Sequence, residues 1–409
     1  MAINKVNVFI KFSTNEELLG QLVIDGREVF FKYSAAFLER KLNVSPLNLK
    51  LDDSIQSTSL KPFDGLFGVF ADSLPDAWGR LLLRRHLGQE LIAIESLNVL
   101  DELSYVGQNG LGALIYRPSV DVESNGSTDF DLDELNSNIR DVLKGESSEI
   151  IDDLFQQGGS PGGARPKIYA GYNPTTDRLI QSDSDLPEGY EHWIIKFAAT
   201  VDEPDIANIE MAYYRMALDA GLRMSESKLF KSSNGNFYFG TKRFDRVGND
   251  RLHMISAAGL FHDDYIHSQL DYGHYLHQAF QLTGSVKSQE EVFRHAAFNV
   301  FAHNRDDHSK NFAFLLDRDG QWSYAPAYDL TFSSSSQGMH STTCAGNGVN
   351  PGTKELLELA SEFSIKNGSK IIEEVKSVVT NWGKYADQTG VSHLSKSKID
   401  KKLQELLRN

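Results

Sequence analysis

With 409 residues, the chain is long enough for two or three domains, each burying its own core. Its 40% hydrophobic and 24% charged content is that of an ordinary globular protein, and a net charge of −15 excludes broad non-specific binding to nucleic acid or anionic membrane. The single cysteine, Cys344, excludes an internal disulfide framework and a cysteine-based zinc site, and suits a reducing cytoplasm.

Residues 5–33 alternate apolar and polar (Val6, Val8, Ile10; Leu22, Ile24; Val29, Phe31) around an Asp25-Gly26 turn, which predicts a β-meander. The start lacks the apolar core of a signal peptide, and no apolar run reaches the roughly 18 residues of a membrane span, so a cytoplasmic soluble protein is expected. After Pro62 the pattern predicts a helix from about Ser73-Leu74-Pro75 to Gly88, a second from Leu91 to Tyr105, and a buried strand in GLGALIYRP. The polar segment from Ser119 to Thr128 marks a boundary, and DLDELNSNIRDVLKG reads as an amphipathic helix.

Gly158 to Lys167 holds four glycines in ten residues, with Arg165 and Lys167 at its end. Glycines let backbone N–H groups approach phosphate oxygens, although the segment is neither of the common phosphate-loop patterns and reads equally as a flexible loop. Lys196 lies in the apolar strand WIIKF, where a buried ammonium needs a partner unless the strand end reaches solvent. A helix from about Asp205 to Ala220 carries Glu210, fourteen residues past Lys196, a candidate ion-pair partner as any helical glutamate would be. NGNFYFGTKRFDRVGND reads as a strand pair leading out of the small lobe, where an adenine-binding hinge belongs.

From Leu252 the chain is expected to be helical apart from one hairpin. Histidines 253, 262, 267, 274 and 277 fall in this region; His274 and His277 alone have helical ligand spacing, and structural roles are expected for all five. Ser288 and Glu291 form a capping box before the apolar stripe Val292, Phe293, Ala296, Ala297, Val300 and Phe301. That helix delivers Asn304 to Asn311, in which Asp306 and Asn311 are five apart, the spacing of a protein-kinase catalytic loop. Alone, such a spacing reads as a solvated charged turn. A hairpin follows, turning at Asp317–Gly320, then Asp329 in PAYDL, where a second metal-binding acid is needed. Ser333–Gly348 predicts a mobile loop, and the last 60 residues predict helices.

Taken in order, glycine loop, strand lysine, helix glutamate, hinge, helical lobe, Asp-x4-Asn, hairpin and second Asp follow the order of kinase sequences. GGARPK, IIKF, KRFDR, DDHSKN and PAYDL, with PFDGLFGVFADSLPDAWGR and VGQNGLGAL upstream, resemble the HipA-type serine/threonine kinases of bacterial toxin–antitoxin systems. The resemblance covers most of the chain. It implies an α+β, bilobal protein-kinase-like fold, with a β-rich N-terminal lobe carrying an extra N-terminal subdomain and a mainly helical C-terminal lobe. The expected division is 1–120, 129–248 and 249–409.

Carried over by position, the resemblance implies Asp306 as catalytic base, and Asn311 and Asp329 as magnesium ligands. It implies a phosphate loop of Gly162, Gly163, Ala164, Arg165, Pro166 and Lys167, and Lys196 on the ATP phosphates. Lys242, Arg243 and Phe244 would form the hinge, with a side-chain adenine contact from Lys242 in doubt because family members can carry glutamate there. His308, Ser309, Lys310 and Asn311 would line the nucleotide site beside Tyr328 and Asp329. Ser160 matches the serine that the family autophosphorylates to expel the glycine loop. The implied function is an ATP- and Mg2+-dependent protein kinase toxin acting on an aminoacyl-tRNA synthetase, of which glutamyl-tRNA synthetase is the best-known case. The implied partner is a HipB-like helix-turn-helix antitoxin, through which DNA would mainly be contacted. Two alternatives stay open: a small-molecule phosphotransferase, or a chain acting mainly as partner of the antitoxin in an autoregulatory complex.

Overall fold

The structure, a computed structural model, describes residues 3–120, 131–146, 151–158, 165–181, 185–334 and 338–408. Its first part contains β1 (Lys5–Lys11), β2 (Glu16–Asp25), β3 (Glu28–Tyr33), α1 (Ala35–Leu38), β4 (Gln56–Ser57), α2 (Gly68–Ala71), α3 (Ala77–Gln89), α4 (Val99–Val106) and β5 (Leu114–Arg117). The strands form an antiparallel sheet in the order β4-β3-β2-β1-β5. The alternation of β1 is what makes this possible: Val6, Val8 and Ile10 all point inward and are fully buried. Gly26, at a φ of 63°, makes the tight β2–β3 turn.

A second part holds α5 (Leu132–Lys144), α6 (Ile151–Gly158), β6 (Lys167–Asn173), β7 (Arg178–Gln181), β8 (Glu191–Lys196), α7 (Ile206–Asp219), β9 (Ser227–Lys231) and β10 (Phe237–Lys242). Its antiparallel sheet runs β7-β6-β8-β10-β9. After a short ribbon of β11 (Arg246–Val247) and β12 (Asp250–Arg251) come β13 (His253–Ser256), α8 (Ala257–Phe261), α9 (Tyr272–Thr283), α10 (Val286–Phe301), β14 (Ala313–Leu316) and β15 (Trp322–Tyr324). The chain closes with α11 (Thr353–Glu362), α12 (Gly368–Thr380), α13 (Trp382–Thr389) and α14 (His393–Leu406). The result is a bilobal, kinase-like fold, and no helix among the described residues is long and apolar enough to cross a membrane.

The two larger apolar cores among the described residues divide the molecule in an unexpected way. The first sheet shares one core with the helical lobe, from Val6 and Phe31 through Phe298 to Leu403. Helix α3 instead buries Trp78, Leu82, Leu83 and Leu87 with Ile168, Trp193 and Ile195 of the second sheet. The first part therefore packs into both lobes.

Several local expectations change. Residues 253–256 form a strand rather than helix, because fully buried β14 needs a hydrogen-bonding partner on each side: β13 supplies one and β15 the other. The second helix begins at Val99, where Asn98 and Asp101 form a capping box, and not at Leu91. Helix α10 begins at Val286 after Ser285, so Ser288 lies inside it and is not its cap. The expected mobile loop is also corrected over residues 338–348: Thr342 and Cys344 are completely buried and the segment is bonded to the loop after α10.

Candidate active site

The apolar stripe of α10 carries the chain into the core and ends at Ala302; His303, at a φ of 53°, reverses it. The polar loop that follows is held from below by Asp307. This fully buried carboxylate accepts hydrogen bonds from the Tyr272 hydroxyl (2.6 Å), the His340 ring (2.8 Å) and the Ser341 and Thr342 N–H groups (2.7 and 3.3 Å). Burial alone would raise its pKa, but His340 and these donors hold it below the ordinary carboxylate range. Arg305 adds bonds to the Val349 carbonyl (3.1 Å) and the Asn350 side chain (2.9 Å).

With its neighbour fixed, Asp306 projects outward, its side chain 57% exposed. Crowding by the protein raises its carboxyl pKa, opposed by His308 and reinforced by Asp329; exposure to water screens the effect. His308 approaches it to 3.8 Å. The Asn311 amide donates to the Asp306 carbonyl at 2.7 Å, which fixes the five-residue step between them. Ser309 donates to Asp263 (2.6 Å), and the Lys310 ammonium lies 4.7 Å from the centre of the Tyr265 ring.

Asp329 arrives from the β14–β15 hairpin by way of Ala327, whose N–H donates to the Arg223 carbonyl (2.8 Å). It sits in the left-handed region, φ 58°, a conformation that turns its side chain back across the cleft. There it pairs with Lys196 of β8, which also reaches Glu210 of α7 at 3.3 Å. Burial tends to strip the Lys196 charge, but Asp329 and Glu210 more than offset it and raise its pKa. Burial acts on Asp329 in the opposite sense, and Lys196, Lys167 and Arg165 hold its carboxyl well below the ordinary range. Arg165 bridges Asp202 (3.0 Å) and the same Glu210 (3.4 Å). Arg165, Lys196, Glu210 and Phe239 share the wall of a cavity of about 260 Å3 with Arg140 of α5.

The remaining expected residues divide. The Pro166 carbonyl accepts from the Phe197 N–H (2.9 Å), and Lys167 is buried at the start of β6. Tyr328 donates to the Lys310 carbonyl (2.6 Å) and stacks obliquely on Phe244, 5.3 Å between ring centres. Lys242 and Arg243 commit their side chains elsewhere: Lys242 pairs with Glu191 (2.6 Å), and Arg243 joins a buried knot with Asp245 and Arg246. Their N–H groups donate to the Glu226 and His192 carbonyls, both at 2.8 Å. Ser160, Gly162, Gly163 and Ala164 lie outside the described residues.

Asp202, Asp307 and the Asp245 knot went unread in the sequence. The knot had a signal, since KRFDR places four charges in five residues. Asp245 accepts from Arg243 and Arg246, both at 2.7 Å, and from the Gly112 N–H at 2.7 Å; the arginines in turn donate to the carbonyls of Gly110 and Gly112. Chemically, the cleft combines an outward carboxylate, a carboxylate–lysine–carboxylate chain and an amide oxygen. Such a set is suited to a polyphosphate with a hard divalent cation.

Two family profiles match the chain: HipA N-terminal domain over residues 10–117 and HipA-like C-terminal domain over residues 159–382. Among curated proteins, Toxin YjjJ of Escherichia coli (strain K12) is 26% identical over 292 residues, covering 66% of this chain and 60% of that protein. The match thus spans less than two thirds of that relative's length. Among solved structures, the Shewanella oneidensis MR-1 toxin–antitoxin complex of HipA, HipB and operator DNA contains a chain of the same fold. That chain superposes with a TM-score of 0.70 at 14% identity, over 98% of this chain and 95% of its own.

Proposed function

The chain belongs to the HipA family, and we propose that it is an ATP-dependent protein serine/threonine kinase acting as the toxin of a toxin–antitoxin module. The observation that carries this reading is the Lys196 ammonium bridging Glu210, 14 residues away, and Asp329, 133 residues away, beside the Asp306–Asn311 loop. In this reading Lys196 and Lys167 neutralise phosphate charge, and Asp306 orients the incoming hydroxyl and accepts its proton.

The donor set suits magnesium. Asn311 uses its amide nitrogen on the Asp306 carbonyl, which leaves an amide oxygen, and Asp329 is held ionised; both are hard oxygen donors. Among the described residues no three His, Cys, Asp or Glu side chains group to hold a metal unaided. Asn311 and Asp329 would therefore hold the ion together with phosphate oxygens and water. When bound, it would neutralise the charge that develops on the transferring phosphoryl group.

At the hinge, the engaged N–H groups of Lys242 and Arg243 leave the Arg243 carbonyl and the Phe244 backbone as the groups to read an adenine edge. By family resemblance the acceptor is a translation factor of the aminoacyl-tRNA synthetase class, possibly glutamyl-tRNA synthetase, and Ser160 is an inactivating autophosphorylation site. A HipB-like helix-turn-helix antitoxin is the proposed partner, supported by the HipB and operator DNA in the solved Shewanella complex.

The test is transfer of label from γ-labelled ATP with magnesium to protein in a cell lysate. The wild type labels a protein band and Asp306→Asn does not, while both fold alike. Label appearing only in small molecules would favour the phosphotransferase alternative.

A further inference from the structure

Helix α7 presents Glu210 on one side and is held from the other. Asn208 and Glu210 are two residues apart, so on a helix with about 3.6 residues per turn they point in roughly opposite directions. Glu210 faces the cleft and pairs with Lys196 and Arg165. Asn208 is 8% exposed and donates its amide to the Thr389 carbonyl at 2.6 Å. Thr389 is the last residue of α13, which Gly390 ends at a φ of 75°.

The bonds to the final helices run the length of α7. At its start, Asp205 accepts the Ser392 N–H (2.7 Å) and the Ser395 hydroxyl (2.8 Å), both at the head of α14. Further along, the Tyr213 ring is fully buried against Trp382 of α13, 5.6 Å between ring centres. At its end, Asp219 accepts from the Tyr385 hydroxyl at 2.7 Å. The Asp205 link comes at the expense of α7 itself. An aspartate in the N-cap position ordinarily bonds the first N–H groups of its own helix, yet Asp205 makes no such bond. Its carboxylate is committed to α14 instead, beside that helix's own cap, Ser392. Tyr213 adds one more tie, donating its hydroxyl at 2.6 Å to the carbonyl of Ala302, where α10 ends and the Asp306 loop departs.

We propose that Asp205 and Asn208 are positioning residues for Glu210, and that α13 and α14 form a fixed support that keeps the Lys196–Glu210 pair assembled. The proposal rests on the phosphotransferase reading. A helix held only by apolar packing can slide or turn by an ångström or two, enough to carry Glu210 away from Lys196. Directional bonds to a second pair of helices oppose that motion. The outer ion pair between Lys398 and Glu203 (2.7 Å) is exposed on both sides and contributes little to the support.

The test is kcat for transfer of label from γ-labelled ATP by the full chain, below the melting temperature of each variant. Asp205→Ala and Asn208→Ala are each expected to lower kcat about tenfold, part of the hundredfold that a misplacement of about 1 Å can cost. Asp205→Asn keeps an oxygen that accepts from α14 and should retain most of the rate, whereas a role for the Asp205 charge in the cleft would make Asn as poor as Ala. Lys398→Ala should match the wild type. The deciding measurement repeats Asp205→Ala and Asn208→Ala in a Glu210→Gln background. Residues that act through Glu210 cost nothing further there, whereas general loosening of the fold lowers the rate by the same factor in both backgrounds. Equal losses in both backgrounds, an Asn variant as poor as Ala, or wild-type kcat in the two alanine variants overturns the proposal. A wild type that transfers no label overturns the phosphotransferase reading itself, and this proposal with it.

Discussion

Asp306 and Asp307 are adjacent in sequence and opposite in environment: Asp307 is completely buried under four hydrogen bonds, whereas the Asp306 side chain is 57% exposed. One carboxylate builds the loop and the other is presented by it. Asp307→Ala would leave Tyr272, His340 and two N–H groups without their acceptor, and should destabilise the fold by about 3–5 kcal/mol. Asp306→Ala should change stability by no more than about 0.5 kcal/mol. Denaturant melts of the two variants check this, and equal losses would refute the division of labour.

Glu210 serves two cations, Lys196 and Arg165. Its replacement by glutamine leaves both with weaker partners in the place where phosphate charge is to be met. Glu210→Gln should lower the rate of label transfer about a hundredfold, the scale of removing one preorganised electrostatic contact. Asp329→Asn should do the same. Transfer at the wild-type rate in both would remove Lys196 from the site.

His253 bonds the Val44 carbonyl at 2.9 Å and is fully buried; burial lowers its pKa to about 4 from 6.5. Below pH 6.5 the unfolded chain takes up a proton that folded His253 refuses, so stability is present above that pH and is lost as pH falls toward about 4. Between pH 7 and 5 this one residue accounts for about 2 kcal/mol. Buried His295 adds a loss of the same sign. Denaturation curves at the two pH values should show the drop, and His253→Gln should shrink it by about one histidine's share.

Gly68 and Gly259 mark where α2 and α8 cross at closest approach. A Cβ on Gly68 would stand 2.0 Å from the Gly259 carbonyl oxygen, a backbone atom that cannot swing aside. Gly68→Ala should therefore destabilise by about 1–3 kcal/mol, by analogy with core overpacking. The same substitution at Gly26, where a Cβ meets nothing within 4 Å, strains only the turn. Comparing the two melts separates steric from backbone effects.

The positions of Lys196, Glu210, Asp306, Asn311 and Asp329 were legible because each lies in a local pattern: an apolar strand, a helix, a fixed step of five, a hairpin. Their convergence was an inference from order. Asp307 was illegible for a physical reason. This buried acid is defined by partners distant in sequence, Tyr272 and His340, and periodicity reports local backbone geometry alone. The 338–348 segment misled because Ser, Thr and Gly are common both in free loops and in segments that cap a buried carboxylate. Strand β13 misled because its partner, β14, lies about 60 residues further on, beyond the reach of any pattern window.

The arginine–aspartate knot has a mechanical consequence. In two-lobed proteins the connecting strand commonly serves as the axis on which a cleft swings open. Here Arg243, Asp245 and Arg246 of that connection are bonded to Gly110 and Gly112, just before β5, and Arg251 reaches the Gln108 carbonyl at 3.0 Å. Any rotation about the connection must drag β5 and the first sheet with it, and that sheet is continuous with the core of the helical lobe. The cleft can then widen only by sliding packed layers past one another, a motion of small amplitude and high stiffness.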